Sequence, residues 1–155
     1  ALPLKGKSRV QGMKNFGPEW SGDAHLLWHG VVGEVMETSF QVPKSGRHRL
    51  TAVLTLAPDY GVFTARLNGK VIREGVDLYA RRVELAPPLY LGEFDFKAGR
   101  QQLSFTLTGG NPQARKFRGA GYLMGIDYLV MKNLETKKEP PEETQPEAIV
   151  AEKPL

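Results

Sequence analysis

Alternating apolar and polar positions dominate the middle of the chain. Within Gly46–Leu56, the even positions from His48 to Leu56 form a mostly apolar face, and the odd positions from Arg49 to Thr55 form the other face. Period-two alternation that is rich in Val, Leu and Thr is typical of a β-strand with one face on a core. We therefore predict a long strand here, around which the other strands pack.

A corner and a tight turn delimit the next strand. Pro58 and Gly61 interrupt the alternation in Ala57–Gly61, because proline cannot donate to a strand ladder and glycine can adopt a positive φ. A second run follows at Val62–Leu67 and ends at Asn68-Gly69, a dipeptide that is the strongest short signal for a hairpin. Two long strands should thus meet at the corner, and a third should follow the turn.

Further strands are predicted on both sides of this unit, with Gly-rich or Pro-rich connections between them. The segments are Ser8–Met13, Ala24–Trp28, Glu34–Val42, Lys70–Arg73, Val76–Leu78, Leu89–Phe96, Gln101–Thr108 and Tyr122–Lys132. The last strand is apolar on both faces, so we expect it to be central. With no ten-residue amphipathic helix pattern, the series predicts an all-β fold with less than about a tenth helix, a two-sheet antiparallel β-sandwich.

The sandwich domain should span residues 1–132, with residues 1–33 the least regular part. Residues 133–155 form an acidic, Pro- and Glu-rich tail or linker, which we expect to be disordered because it cannot bury enough apolar area to offset chain entropy. Its apolar patch, Ala148–Ala151, leaves open that the tail docks on a partner or on a neighbouring copy. Residues 139–155 carry a net charge of −4 in a chain of +4, which leaves +8 for residues 1–138.

Composition narrows the possible functions. The chain has 155 residues, 41% of them hydrophobic, no cysteine, and no apolar run long enough to span a membrane. It begins Ala-Leu-Pro-Leu without Met, which fits a mature chain after signal cleavage or a fragment, so we expect an extracytoplasmic or secreted location. The basic clusters, such as Arg115–Arg118, are too short for a nucleic-acid arm, so we expect no nucleic acid as a partner.

No catalytic motif is evident, so we do not expect an enzyme. His25 and His29 have the spacing of a zincin helix, but Leu26 stands where the catalytic Glu belongs, and a catalytic metal needs a third ligand. Acidic residues lie close in sequence at Glu34/Glu37 and Glu93/Asp95, yet nothing indicates the flanking geometry of glycoside hydrolysis. We therefore predict no metal site and solvent-facing carboxylates.

Binding of a glycan is the better hypothesis, because the connecting loops combine aromatic with polar residues. Sugars present apolar faces and many hydroxyls, which suit exposed aromatic rings beside Asp, Asn and Arg. Each aromatic ring is about as well suited to filling the core of the sandwich, and that alternative stays open here. The candidate ligand-binding residues are Trp20, Asp23, Trp28, Asp59, Tyr60, Tyr79, Arg81, Asn111 and Arg118, with Phe117 and Tyr122 as further loop aromatics.

The order of motifs from Glu34 to Lys132 resembles the galactose-binding-like jelly roll, the fold of family 6 and family 35 carbohydrate-binding modules. It is also similar to jelly-roll domains of large secreted bacterial proteins, including DUF2961-type and planctomycete multidomain proteins. The corner Asp59–Gly61 and the strand segment Gly125–Tyr128 are the most specific parts of this resemblance. Before Glu34 the acidic calcium pattern of those modules is not clear, so a structural calcium is doubtful and we expect no cofactor.

The resemblance implies a non-catalytic carbohydrate-binding module of a secreted bacterial protein, with a glycan or polysaccharide as its ligand. The alternative is a structural or assembly subunit that binds another protein through its basic body or through residues 133–155. A small hydrolase on a jelly roll is the third and least favoured class. Glycan binding separates the first class from the other two.

Overall fold

The computed structural model of the chain describes residues 7–134 and 148–149. Within these residues the chain forms eleven strands and two 3₁₀ turns, Lys14–Phe16 and Ser21–Asp23. The strands are β1 (Ser8–Gly12), β2 (Ala24–Gly30), β3 (Val35–Val42), β4 (Gly46–Leu56), β5 (Val62–Leu67), β6 (Lys70–Asp77), β7 (Glu84–Leu85), β8 (Leu89–Phe96), β9 (Gly99–Gly109), β10 (Tyr122–Asn133) and β11 (Ala148–Ile149). Helical residues amount to 5%, which confirms the low helix content expected from the sequence.

Two antiparallel sheets form the sandwich, which confirms the predicted fold class of a jelly-roll β-sandwich. The large sheet has the order β1-β2-β10-β4; β7 and β8 both pair with β4, and β11 pairs with β10. The small sheet has the order β3-β9-β5-β6. The predicted hairpin at Asn68-Gly69 joins β5 to β6, with Asn68 at φ 50° and Gly69 at φ 86°.

The core lies between the inner faces of the two sheets. In β4 the even residues Leu50, Ala52 and Leu54 are buried, as the alternation predicts. Across the interface, the ring of Trp28 from β2 packs edge-on against Phe63 from β5, with centroids 5.9 Å apart. Each fully buried side chain of this kind contributes roughly 1.5–3 kcal/mol through removal of apolar surface from water. The sandwich is therefore held mainly by the pairing of the two apolar inner faces.

A β-bulge explains why β10 is apolar at both odd and even positions. Its pairing with β4 shifts register between Ile126 and Tyr128. Met124 and Ile126 point to the core before the bulge, and Leu129 and Met131 do so after it, all four of them buried. Because β10 lies between β2 and β4, its predicted central position is confirmed.

The outer face of the large sheet carries a second, smaller buried layer under the segment from Met13 to Asp23. Met13 and Trp20 are buried there, outside the main core. The indole N–H of Trp20 donates to Thr55 Oγ1 over 2.8 Å, and the same hydroxyl lies 2.7 Å from His25 Nδ1. The backbone N–H of Ser21 donates to the carboxylate of buried Asp127. This layer positions the segment from Met13 to Gly30, which belongs to the part of the chain, residues 1–33, that the sequence predicts to be least regular.

Two strand predictions differ from the structure. The predicted pair of short strands at Lys70–Arg73 and Val76–Leu78 is one strand, β6, because Gly75 adopts φ 65° and absorbs an irregular pairing with β5 without ending the ladder. The predicted loop Tyr79–Pro88 contains the two-residue strand β7, which pairs with the end of β4.

The predicted disordered tail, residues 133–155, lies outside the described residues except for its first two positions and the strand β11. That strand pairs with β10 through Val130–Ile149 and Met131–Ala148. In the described residues, no helix is long and apolar enough to cross a membrane.

Candidate functional site

Three loops meet at one end of the sandwich, and we call them together the end-loop site: Ala57–Gly61, Leu78–Val83 and Gly110–Gly121. Backbone hydrogen bonds hold them against one another. Ala57 N–H donates to the carbonyl of Leu78 over 3.1 Å, and Arg115 N–H donates to that of Pro58 over 2.8 Å. The corner is also tied to the start of β10, since Leu123 N–H donates to Asp59 O over 3.0 Å. The loops are therefore positioned by their own backbones.

The carboxylate of Asp77, at the end of β6, fixes two of these loops. Its Oδ1 accepts the backbone N–H of Tyr79 over 3.0 Å, and its Oδ2 accepts from Asn111 Nδ2 over 2.8 Å. The carbonyl oxygen of the Asn111 side chain in turn accepts Gln113 N–H over 2.9 Å. Tyr79 and Asn111, both half-buried, are thus brought close to one another by a residue that the sequence analysis did not single out.

An aromatic and cationic stack forms the side of the end-loop site nearest β2. The guanidinium carbon of Arg118 lies 5.0 Å from the centroid of the Phe117 ring, and that ring lies 5.5 Å from the ring of His29. Arg118 adopts φ 54°, and its side chain is exposed. A guanidinium over an aromatic ring is attracted to the ring face, and its N–H groups can still donate to an anionic or hydroxyl-bearing ligand.

The end-loop site is electropositive. Its second and third loops carry five cationic side chains and no acidic residue: Arg81, Arg82, Arg115, Lys116 and Arg118. Desolvation lowers the pKa of the His29 imidazole, and the Arg118 and Lys7 cations lower it further. The pKa of Glu34 is lowered chiefly by its hydrogen bond with Lys7 and then by that with Val31 N–H. Glu34 is therefore ionised and paired, and the positive potential of the neighbouring loop remains.

Three of the predicted site aromatics lie in the interior. Trp20 is 3% exposed, Trp28 is 1% exposed and Tyr60 is 4% exposed, so their ring faces are closed to a ligand in this structure. This corrects the expectation that these rings lie on the surface: Trp28 and Tyr60 fill the core between the sheets, and Trp20 is buried in the layer on the outer face of the large sheet. Burial, with a smaller contribution from Asp59, also raises the pKa of the Tyr60 hydroxyl above its ordinary range.

The remaining predicted residues divide between the two ends of β2. Asp59, Tyr79, Arg81, Asn111 and Arg118 all belong to the end-loop site. Asp23 precedes β2 and lies roughly 20 Å along the strand from Gly30, near the end loops. Its backbone carbonyl accepts Met13 N–H over 2.7 Å, so Asp23 belongs to the segment that covers the outer face of the large sheet. Asp23 is thus not brought together with the others.

Glu93 and Asp95, one of the two pairs of carboxylates considered as catalytic groups, are paired with arginines on the surface. Arg47 lies 3.3 Å from Asp95 and 3.7 Å from Glu93, and Arg49 lies 3.6 Å from Glu93. These contacts cross from β4 to β8 at positions that face solvent. Among the residues that the structure describes, no group of three or more His, Cys, Asp or Glu side chains is arranged to hold a metal ion.

Solved structures of two other proteins align with most of this chain, although no relative is found from its sequence. No family model matches the chain, and no curated protein matches it. A Paenibacillus xanthan lyase aligns with 80% of the chain at 19% identity and a TM-score of 0.67, and the chain covers 11% of that protein. A Podospora anserina GH26-CBM35 β-(1,4)-mannanase aligns with 91% of the chain at 14% identity and a TM-score of 0.55, and the chain covers 27% of it.

The chain shares its fold with parts of these two enzymes. This confirms, at the level of fold, the resemblance to a carbohydrate-binding-module-like jelly roll. A family 35 carbohydrate-binding module from Clostridium thermocellum also aligns, with 79% of the chain, 85% of the module, 14% identity and a TM-score of 0.47. The chain spans only a minor part of the lyase and the mannanase, whose activities belong to those whole proteins.

Sequence reasoning missed Asp77 and His29 as residues that contact the end-loop site. A local signal existed for Asp77, because an Asp side chain that accepts the N–H two residues later is a common turn element. Its contact with Asn111 spans 34 positions and had no local signal. The sequence analysis considers His29 only as a metal ligand. Its contact with Phe117 joins β2 to the loop before β10, so it has no local sequence signal.

Proposed function

We propose that this chain is a non-catalytic carbohydrate-binding domain of a secreted bacterial protein and that its ligand is an acidic polysaccharide held at the end-loop site. The observation that carries the proposal is the set of five cationic side chains in two loops that contain no acidic residue. These loops also hold the Arg118–Phe117 stack and the half-buried Tyr79 and Asn111. The jelly-roll fold, shared with parts of two polysaccharide-degrading enzymes, supports it.

The chemistry of the loops fits a uronate-bearing chain. Carboxylates of the ligand would accept charge-assisted hydrogen bonds from Arg81 and Arg118, which are stronger than neutral ones. The half-buried ring of Tyr79 offers apolar surface for the C–H face of a sugar. The amide of Asn111 is held in one orientation by Asp77, so it loses little conformational freedom when a sugar hydroxyl binds.

The arrangement supports binding without catalysis. The carboxylates of Glu93 and Asp95 are engaged with arginines on the outer face of the large sheet, away from the end loops. Asp59 lies in the first loop, and Asp77 and Glu84 flank the second; of these, Asp77 is committed to two structural hydrogen bonds. Among the residues that the structure describes, we therefore assign no pair of carboxyl groups at the loops to acid–base work of the kind that glycosidases need.

A glycan array that contains acidic and neutral polysaccharides tests the proposal. The full chain should bind polygalacturonate or a glucuronate-containing glycan and should release no reducing ends from it during prolonged incubation. Mannan and galactan serve as neutral controls. Binding to no acidic glycan, together with a stable complex with another protein, would instead favour the assembly-subunit alternative.

A further inference from the structure

A cleft opens along one side of the sandwich, between the edge strand β6 of the small sheet and the segment from Ala86 to Leu89 of the large sheet. It encloses about 410 Å³, a volume within the range of small-molecule sites. The two edges are bridged at its border, where the Arg73 guanidinium donates to the carbonyl of Tyr90. Pro87 and Pro88 carry no N–H, so the segment between β7 and β8 leaves the ladder and keeps the cleft open.

The floor of the cleft is apolar and the rim is polar. Most of the lining residues are apolar, among them Leu54, Leu56, Val76, Leu78, Pro88 and Leu89. Leu56 and Leu89 are only half-buried and Pro88 is exposed, so a ligand would find accessible apolar surface here. On the rim stand Arg73, Glu74 and Asp77, which supply both donors and acceptors.

The charge of the cleft differs from that of the end-loop site. The cleft carries one cation, Arg73, against the two carboxylates of Glu74 and Asp77, whereas the second and third end loops carry only cations. An anionic sugar unit is thus favoured at the loops and disfavoured in the cleft. An uncharged sugar unit suits the cleft, because its C–H face packs on Leu and Pro while its hydroxyls reach Arg73 and Glu74.

The cleft and the end-loop site are continuous through two residues. Asp77 lines the cleft and its carboxylate also holds Asn111 and the N–H of Tyr79. Leu78 lines the cleft as well, and its backbone bonds to Ala57 and Gly61 of the corner. The carboxylate of Asp77 therefore lies where the cleft and the end-loop site adjoin.

We infer that the side cleft is a second subsite, which takes an uncharged sugar unit of the same chain whose acidic unit binds the end-loop site. The inference rests on the proposed function and deepens it: the ligand is a mixed glycan, in which acidic and neutral units are linked. Occupation of both subsites by one molecule makes binding of the second unit effectively intramolecular, so the affinity for the linked units exceeds that for either unit alone.

Nuclear magnetic resonance titration of the full chain tests the inference with three probes. The probes are sodium glucuronate, methyl β-D-glucopyranoside, and aldotetraouronic acid, in which a glucuronate unit is attached to xylotriose. Glucuronate should shift the amides of Gln113 and Arg118, and the neutral glucoside should shift the methyl groups of Leu56, Leu78 and Leu89. The mixed oligosaccharide should shift both sets and should bind at least about tenfold more tightly than glucuronate, on the order of 1.4 kcal/mol.

Matched variants assign the second subsite to the cleft. Glu74→Ala removes an exposed rim acceptor and should weaken binding of the glucoside and of the mixed oligosaccharide several-fold, while leaving glucuronate unchanged. Glu37→Ala, on the outer face of the small sheet, removes the same charge elsewhere and should change none of the three. Asn111→Ala should weaken glucuronate but leave the glucoside shifts intact.

The outcomes separate this inference from the proposed function. Two results would overturn the second subsite and leave the proposed function standing. One is that glucuronate shifts the loop amides while the glucoside shifts nothing in the cleft. The other is that glucuronate and the mixed oligosaccharide bind with equal affinity. Cleft shifts that Glu74→Ala does not weaken would overturn it as well. Failure of every probe and of every acidic polysaccharide would overturn both.

Discussion

The side-chain amide of Asn111 donates to the carboxylate of Asp77 over 2.8 Å. This hydrogen bond joins the long loop before β10 to the end of β6, and the other oxygen of Asp77 holds the N–H of Tyr79. One exposed carboxylate thus sets the relative positions of two loops at the proposed glycan site. Loss of this bond should therefore affect the arrangement of the two loops more than it affects the stability of the sandwich.

Replacing Asp77 with Ala should loosen the end loops without unfolding the domain. A typical intramolecular hydrogen bond contributes roughly 0.5–1.5 kcal/mol, so the loss of two should lower the free energy of unfolding by about 1–3 kcal/mol. Hydrogen exchange of the Tyr79 and Gln113 amides should accelerate, while amides of β4 keep their protection. Unchanged exchange at both loop amides would contradict the role assigned to Asp77.

Replacing Trp28 with Ala should destabilise the core rather than affect a binding surface. Loss of a fully buried tryptophan costs about 3–5 kcal/mol, because the transfer free energy is lost and a cavity remains. Phe16→Ala is the matched control, since that ring is 46% exposed. Thermal unfolding measured on both variants should show a large drop in Tm for Trp28→Ala and a small one for Phe16→Ala. Similar drops would contradict the assignment of Trp28 to the core.

Replacing Gly121 with Ala should strain the junction between the last loop and β2. A Cβ at this position would collide with the backbone carbonyl oxygen of Gly30, which cannot move aside as a flexible side chain can. We expect a loss of about 1–3 kcal/mol, as for overpacking. Gly109→Ala is the control, because nothing lies within 4 Å of its added Cβ. Chemical denaturation of both variants checks this, and equal midpoints would refute it.

The stability of the chain should depend on pH through His29. Its pKa in the folded state lies below the ordinary value of 6.5, owing to desolvation and then to the Arg118 and Lys7 cations, with Glu34 acting in the opposite direction. The unfolded state therefore binds more protons, and the free energy of unfolding should fall as pH drops below about 6.5. His29→Gln should flatten this part of the stability profile between pH 7 and 5. The same slope in both proteins would exclude His29 as its source.

Local patterns predicted most of the strands. The bounds of β4, β5 and β8 follow directly from the alternation and from Pro58, Gly61 and Asn68-Gly69, because these features act within a few residues. The bulge in β10 was not predictable, since apolar residues on both faces are compatible with either register. Gly75 was mistaken for a break between strands because the sequence does not show whether a glycine ends a ladder or bends it.

The site could be predicted only in part. Asp59, Tyr79, Arg81, Asn111 and Arg118 come together because the corner and the loops lie at one end of the strands, which the order of strands makes plausible. The burial of Trp20 depends on a loop that folds over the outer face of the large sheet and reaches Thr55, 35 positions away. Such contacts have no local signal, so exposed and buried aromatics cannot be separated from sequence alone.

Isothermal titration calorimetry of the full chain with sodium polygalacturonate tests the central claim most directly. The double variant Arg81→Ala/Arg118→Ala is compared with Lys44→Ala/Arg100→Ala, whose exposed cations lie at the opposite end of the sandwich near the pairing of Val42 with Gly99. We predict that the first variant binds at least about tenfold more weakly than the unaltered chain, roughly 1.4 kcal/mol, and that the control keeps its affinity. Equal losses in both variants would show that general charge attracts the glycan, and no binding by the unaltered chain would contradict the account as a whole.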